Sequence, residues 1–242
     1  VYNTIMITLV EKHQISKHHP YFKTIDSICF KSKNIYNLSN YFIRQNFFKG
    51  RKTTLSDLYN YIKDKECYSD LPRKISQSTI IKILDNWKAY YEAIKSYNKN
   101  PSRFFSEPKI PKYKNKTNGR FLTIYNNQAF SKKYIKYGYI KLSGSDIKIY
   151  TKQTNILEIR LVPNSSYYTI EIVYQKEKIE NDLNKDNIMG IDMGINNLMA
   201  LTSNKKGFIP ILVNGRPLKS INQYYNKTKS KLQSELSKFN KY

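Results

Sequence analysis

Apolar positions along the chain change their spacing three times, and each change marks a different kind of element. The opening run Tyr2 to Val10 is rich in β-branched residues (Thr4, Ile5, Ile7, Thr8) and predicts a strand. Helical spacing then takes over. Ile28, Ile35, Leu38 and Phe42 recur at steps of seven, three and four, and Leu55, Leu58, Tyr59 and Ile62 line one side of a shorter helix over Thr54 to Ile62. Ile80, Leu84, Trp87, Tyr91 and Ile94 form the cleanest stripe. From Asn98 to Gly119 the pattern breaks at Pro101, Pro108 and Pro111, which exclude a helix interior and favour an extended path.

Alternation with a period of two follows, in Phe121–Tyr125, Tyr139–Leu142, Asp146–Tyr150, Leu157–Val162 and Tyr168–Tyr174. Turn residues at Gly138, Ser143 to Ser145 and Pro163 to Ser166 separate them, as in a small barrel or sandwich that the opening strand could join. Gln175 to Asn187 is a polar connector. Beyond it a hairpin is predicted over 188–202, then a strand over Phe208 to Val213 ending at Asn214-Gly-Arg-Pro217. The tail from Ser220 to Tyr242 carries Ile221, Tyr225, Leu232, Leu236 and Phe239 on one helical face.

The hairpin holds the chain's most informative residue. Asp192 interrupts Ile188-Met-Gly-Ile-Asp-Met-Gly-Ile, an otherwise apolar, glycine-flanked run that reads as the end of a buried strand. A carboxylate in a strand core is costly unless a cation or a cluster of donors meets it. It is therefore either a strand-end residue that caps a turn or the first metal-binding carboxylate of a nuclease.

Charge narrows the partner. The chain has 42 Lys and Arg against 18 Asp and Glu, a formal net charge of +24. An AT-rich genome would enrich Lys, Asn, Ile and Tyr, but it would enrich Glu as well, so it does not explain the shortage of acids. A polyanion does, because each phosphate neutralised releases counterions. A membrane surface is the weaker alternative, since no long apolar span is present. Lys109, Lys112, Lys114 and Lys116, spaced along the proline-rich run, could track successive phosphates, or the run could be a basic linker. Cys29 and Cys67 stand alone and His13, His18 and His19 lack a matching thiol set, so neither a zinc site nor a disulfide framework is predicted. Val1 to Val10 shows no signal-peptide pattern, and a reduced, intracellular (cytoplasmic, nucleoid-associated) protein is expected.

The hairpin Gly190-Ile-Asp-Met-Gly-Ile-Asn-Asn-Leu198, followed by Asn214-Gly-Arg-Pro-Leu-Lys-Ser-Ile-Asn-Gln-Tyr-Tyr-Asn226, resembles the opening of the RuvC-like domain of the TnpB (OrfB, "probable transposase") family, relatives of type V CRISPR effectors. The Trp87 helix leading to Pro108-Lys-Ile-Pro-Lys-Tyr-Lys114 resembles that family's N-terminal half. The resemblance implies an α+β protein: a wedge-type β barrel (first strand within 1–20, remainder within 99–180) interrupted by a helical recognition insertion over 21–98, then the first part of an RNase H-like (RuvC) domain over 186–242. It implies RNA-guided DNA cleavage, with a guide RNA and double-stranded DNA as partners and no membrane. Its chemistry is two-metal hydrolysis, normally with Mg²⁺ held by three carboxylates, of which Asp192 matches the first.

The other two carboxylates and the family's paired C-x-x-C ribbon have no counterpart before Tyr242, and Glu235 is no substitute. The chain is accordingly expected to be C-terminally truncated and not to cleave by itself. Alternatively it is a nuclease-inactive RNA/DNA-binding protein, such as a repressor of its own element, or a decayed fragment.

Overall fold

The computed structural model describes residues 5–178 and 184–239, and these fall in two compact units, Val1–Lys178 and Ile179–Tyr242. The chain is a mixture of helix and antiparallel sheet. In the first unit, strand β1 (Met6–Ile15) is followed by helices α1 (Phe22–Phe48), α2 (Leu55–Ile62), α3 (Glu66–Ser69) and α4 (Arg73–Lys99). Strands β2 (Thr123–Asn126), β3 (Phe130–Ser131), β4 (Tyr139–Leu142), β5 (Lys148–Tyr150), β6 (Ile156–Pro163) and β7 (Tyr168–Glu177) complete it. They pair as a four-stranded sheet in the order β1-β7-β6-β2 and a three-stranded sheet in the order β3-β4-β5.

The opening strand does join the later ones. β1 runs antiparallel to β7, from Met6 opposite Glu177 to Ile15 opposite Tyr168. It outlasts the apolar run that ends at Val10, because the ladder continues through polar residues that find partners. Glu11 accepts hydrogen bonds from Gln153 Nε2 (2.9 Å) and Thr151 Oγ1 (3.1 Å), and Lys12 pairs with Glu171. Residues 2–4 of the anticipated strand lie outside the described residues.

The helical stripes become the core. Ile25, Ile28, Ile35 and Ile43 of α1 are buried with Leu58 and Ile62 of α2 and Ile75, Ile80, Ile83 and Trp87 of α4. The α2 start is fixed by a capping box, in which Thr54 Oγ1 accepts from Asp57 N–H and the Asp57 carboxylate accepts from Thr54 N–H. Ile159, Leu161, Ile170 and Ile172 close the core from the four-stranded sheet.

The second unit is a three-stranded antiparallel sheet, β10-β9-β8, built from β8 (Met189–Met193), β9 (Asn197–Ser203) and β10 (Ile211–Asn214), and helix α5 (Arg216–Phe239). Here the burial expectation fails. Every residue of β8 is exposed, Asp192 included, and the α5 stripe of Ile221, Tyr225, Leu232, Leu236 and Phe239 is exposed too. The periodicity does give strand and helix, but three strands and one helix have too few layers to cover both faces of the sheet.

α5 also begins four residues before the expected Ser220, at Arg216. Proline is tolerated in a first helical turn, and the Asn214 side chain accepts from Arg216 N–H at 3.0 Å. Residues 240–242 of the predicted tail lie outside the described residues.

Candidate functional site

The proline-rich basic run is laid along α1 as a strap. Arg44 Nη1 and Asn40 Nδ2 donate to the Pro111 carbonyl at 3.1 and 3.0 Å, and Tyr36 Oη donates to Lys112 O at 3.0 Å. The Asn37 amide donates to Lys114 O at 2.9 Å and accepts from Lys114 N–H at 2.8 Å, a side-chain imitation of a strand pair. Lys33 Nζ donates to Lys116 O at 2.6 Å.

The geometry agrees with an extended strap. Lys33 and Arg44 are eleven positions apart on the helix, a rise of about 16 Å; Pro111 and Lys116, five positions apart, span about the same length only when extended.

Both ends of the strap are fixed. At one end Asn115 Oδ1 accepts from the N–H groups of Thr117 and Asn118, and Gly119 N–H donates to Asn115 O at 3.1 Å. A Cβ on Gly119 would sit 2.3 Å from that same oxygen, so glycine alone fits the turn. Arg120 then forks onto Asp26 through Nε (2.8 Å) and Nη2 (2.7 Å), while Tyr168 Oη donates to Asp26 Oδ1 at 2.6 Å. The Arg120 fork, with the tyrosine, holds the Asp26 carboxyl below the usual carboxylate range. At the other end Asn40 Oδ1 accepts from buried Trp87 Nε1 at 2.9 Å, which carries the strap's anchorage through α1 into α4.

With its carbonyls turned to α1, the strap shows its side chains to solvent. Lys109, Lys112, Lys114 and Lys116 are all exposed, and none makes an ion pair with a carboxylate among the described residues. Lys33 is buried beneath them, its ammonium 3.7 Å from the Phe30 ring centroid. Burial, with Arg120 and Lys116 nearby, pulls its pKa below the usual lysine range. The anchoring residues are not among those that motif and spacing single out. Their signal is a set of polar side chains at 33, 36, 37, 40 and 44, at helical spacing, on a helix otherwise recognised by its apolar stripe.

Asp192 is placed differently. It lies on β8, an edge of its sheet, opposite Ala200 of β9. It is not the buried charge anticipated, and no group of three or more His, Cys, Asp or Glu that could hold a metal ion occurs among the described residues. A two-metal site does not fit one exposed carboxylate, so no metal-dependent step is derived from it.

Around Asp192 the local geometry is tightly made. Gly215 N–H donates to Asn196 O at 2.9 Å and Lys219 Nζ donates to Asn196 Oδ1 at 3.0 Å, tying the start of α5 to the β8–β9 turn. A Cβ on Gly215 would meet Ile195 O at 2.9 Å and Leu198 N at 3.0 Å. The cysteines bring no chemistry to either place: Cys29 is buried, and burial pushes its thiol up to about 12.

Residues 171–242, which contain β8 to β10 and α5, match the model of the OrfB family, described as a probable transposase. Over these residues the chain is similar to the TnpB/OrfB family. Among solved structures, the chain aligns with a Cas12f1 chain from a Cas12f1–sgRNA–target DNA complex at 16% identity and a TM-score of 0.33. The alignment covers 93% of this chain and 62% of that one, so the chain spans less than two thirds of the Cas12f1 chain. No curated protein matches it. No helix among the described residues is long and apolar enough to cross a membrane.

Proposed function

We propose that this chain is the nucleic-acid-holding part of a TnpB-type RNA-guided DNA endonuclease, and that the 242 residues do not cut DNA by themselves. The observation that carries this is the strap. A chain of net charge +24, OrfB-like over residues 171–242, presents Lys112, Lys114 and Lys116 on a backbone fixed by five α1 side chains, with Lys109 just before the fixed stretch. Lysines 112, 114 and 116 recur about every 6–7 Å along an extended chain, on the scale of neighbouring phosphates of one strand. In this reading a guide RNA pairs with the target strand of double-stranded DNA while the protein holds backbones and shape. The two sheets and the helices of the first unit take the parts of wedge barrel and recognition insertion. β8 to α5 open an RNase H-like domain, where Asp192 supplies one carboxylate toward Mg²⁺.

A second reading, a nuclease-inactive RNA/DNA binder such as an element-encoded repressor, draws on a specific contrast. The strap belongs to the unit with a closed core, whereas Asp192 is exposed and, among the described residues, belongs to no cluster that could hold a metal ion. Both readings predict that the purified chain carries RNA at low salt and releases it steeply as salt rises. A chain that binds neither RNA nor duplex DNA at low ionic strength would refute both.

A further inference from the structure

The small β3-β4-β5 sheet has one face in the core and an outer face only partly covered, by the 3-10 turn over Lys132–Tyr137. Ile140, Leu142 and Ile149 point inward and are buried. Tyr139 stands opposite Tyr150 and Lys141 opposite Lys148, so by alternation the outer face is two tyrosines and two lysines. Tyr134, from the 3-10 turn over Lys132–Tyr137, stacks on Tyr139 with centroids 5.1 Å apart and planes inclined by 17°, and Tyr150 lies beside Tyr139 at 6.0 Å with its plane tilted by 55°. Tyr150 is 69% exposed and Tyr137, at the end of the turn, 64%.

Charge surrounds these rings. Lys133 lies 5.4 Å from the Tyr134 centroid, Lys136 4.9 Å from Tyr137 and Lys148 5.6 Å from Tyr139. Within residues 131–150 there are five lysines and a single acid, Asp146, whose carboxylate is 99% exposed and 3.3 Å from Lys141. Like charges directly opposite on a sheet are destabilising. Asp146 offsets Lys141, so Lys148 is the member of the opposed pair with no carboxylate partner among the described residues and is the one placed to meet a phosphate.

We infer that the outer face formed by Tyr134, Tyr139 and Tyr150, with Lys133, Lys136 and Lys148, is a stacking platform for an unpaired stretch of RNA, separate from the strap. Tyr150 and Tyr137 offer exposed π faces, and the half-buried Tyr134 and Tyr139 the faces not spent on each other, to bases that are not already stacked in a duplex, while the lysines meet the intervening phosphates. Base stacking tolerates any sequence, so the platform recognises strandedness rather than a motif. The choice of RNA rests on the proposed function, in which the RNA is held with unpaired segments before any DNA is opened, whereas unpaired DNA arises only once the guide has displaced the non-target strand.

The test measures binding of the full chain to a fluorescent oligouridylate and to a duplex DNA with the same number of phosphates. It compares the wild type with the double variant Tyr139→Leu/Tyr150→Leu, which keeps apolar bulk on both strands. Oligouridylate affinity should fall about tenfold for each base deprived of its tyrosine ring. The salt slope should stay unchanged, since no lysine is removed, and duplex affinity should move by less than about twofold. Unchanged oligouridylate affinity in the variant overturns the platform and leaves the proposed function standing; a wild type that binds neither probe overturns both. As a check that does not depend on the variant's folding, a 4-thiouridine oligonucleotide photo-cross-linked to the wild type should label the peptide holding Tyr139 and Tyr150. Labelling confined to residues 108–120 would overturn the platform.

Discussion

The two units of this chain are written in the same amino-acid vocabulary, yet only one of them closes a core. In Val1–Lys178, apolar residues on three helices and a four-stranded sheet are buried together around Ile35, Trp87 and Ile159. Among the described residues of the second unit, Gly215 alone is buried, while Ile191, Met193, Leu232 and Phe239 are 54–80% exposed. Periodicity is thus sufficient to specify a strand or a helix locally but not to bury it, since burial requires a second layer. The difference also separates the two functional candidates. The strap is anchored to a packed scaffold by hydrogen bonds that reach Trp87, whereas the strand bearing Asp192 lacks such support.

The largest effect that sharpens this contrast is on core packing. Trp87→Ala removes a buried ring and leaves Asn40 Oδ1 without its donor, and should destabilise the first unit by about 3–5 kcal/mol in denaturant unfolding. The equivalent truncation in the other unit, Leu232→Ala, should stay within about 0.5 kcal/mol, since a 54% exposed side chain has little burial to lose. Equal costs at the two positions would erase the comparison.

Next in size is the charge effect on binding. Replacing Lys109, Lys112, Lys114 and Lys116 together by Gln should lower the salt slope of RNA or DNA affinity by roughly 3–4 while leaving the melting temperature unchanged. An unchanged slope would reduce the strap to a linker.

The smallest effect is confined to acid. The native Asp26 carboxyl is held below its unfolded pKa of about 4. Its contribution is therefore complete above that pH and is lost as pH falls from there through the lowered native value. Asp26→Asn should lower stability at neutral pH and shallow the loss below about pH 4, as followed by circular dichroism; an identical acid limb would remove the Asp26–Arg120–Tyr168 anchor from the account.

Much of the fold was legible because long stripes leave little choice. The steps through Ile80, Leu84, Trp87 and Tyr91 have one solution, and they run along α4. Alternating runs located β4, β6 and β7 to within a residue or so at most ends, though β7 continues past Tyr174 to Glu177. Less was legible where polar side chains hold the structure together. The reach of β1 to Ile15 depends on Glu11 finding Gln153 far along the chain. The strap's anchors depend on Lys33, Asn37 and Asn40 facing a segment more than seventy residues away. Such pairings carry no periodic signal. The lysines of the strap and Asp192 were visible as residue types at particular spacings. What spacing did not convey was their surroundings: a built scaffold under the first, and exposure along the whole of the strand that carries the second.

One assay reaches the central claim directly. Purified full-length chain carrying its co-purified RNA is mixed with plasmid DNA bearing the complementary sequence, in the presence of Mg²⁺, and binding and cutting are read from the same reaction. The expected result is a salt-sensitive complex and intact DNA. Mg²⁺-dependent cleavage that disappears in Asp192→Ala would contradict it, because a single exposed carboxylate would then be enough to support the chemistry.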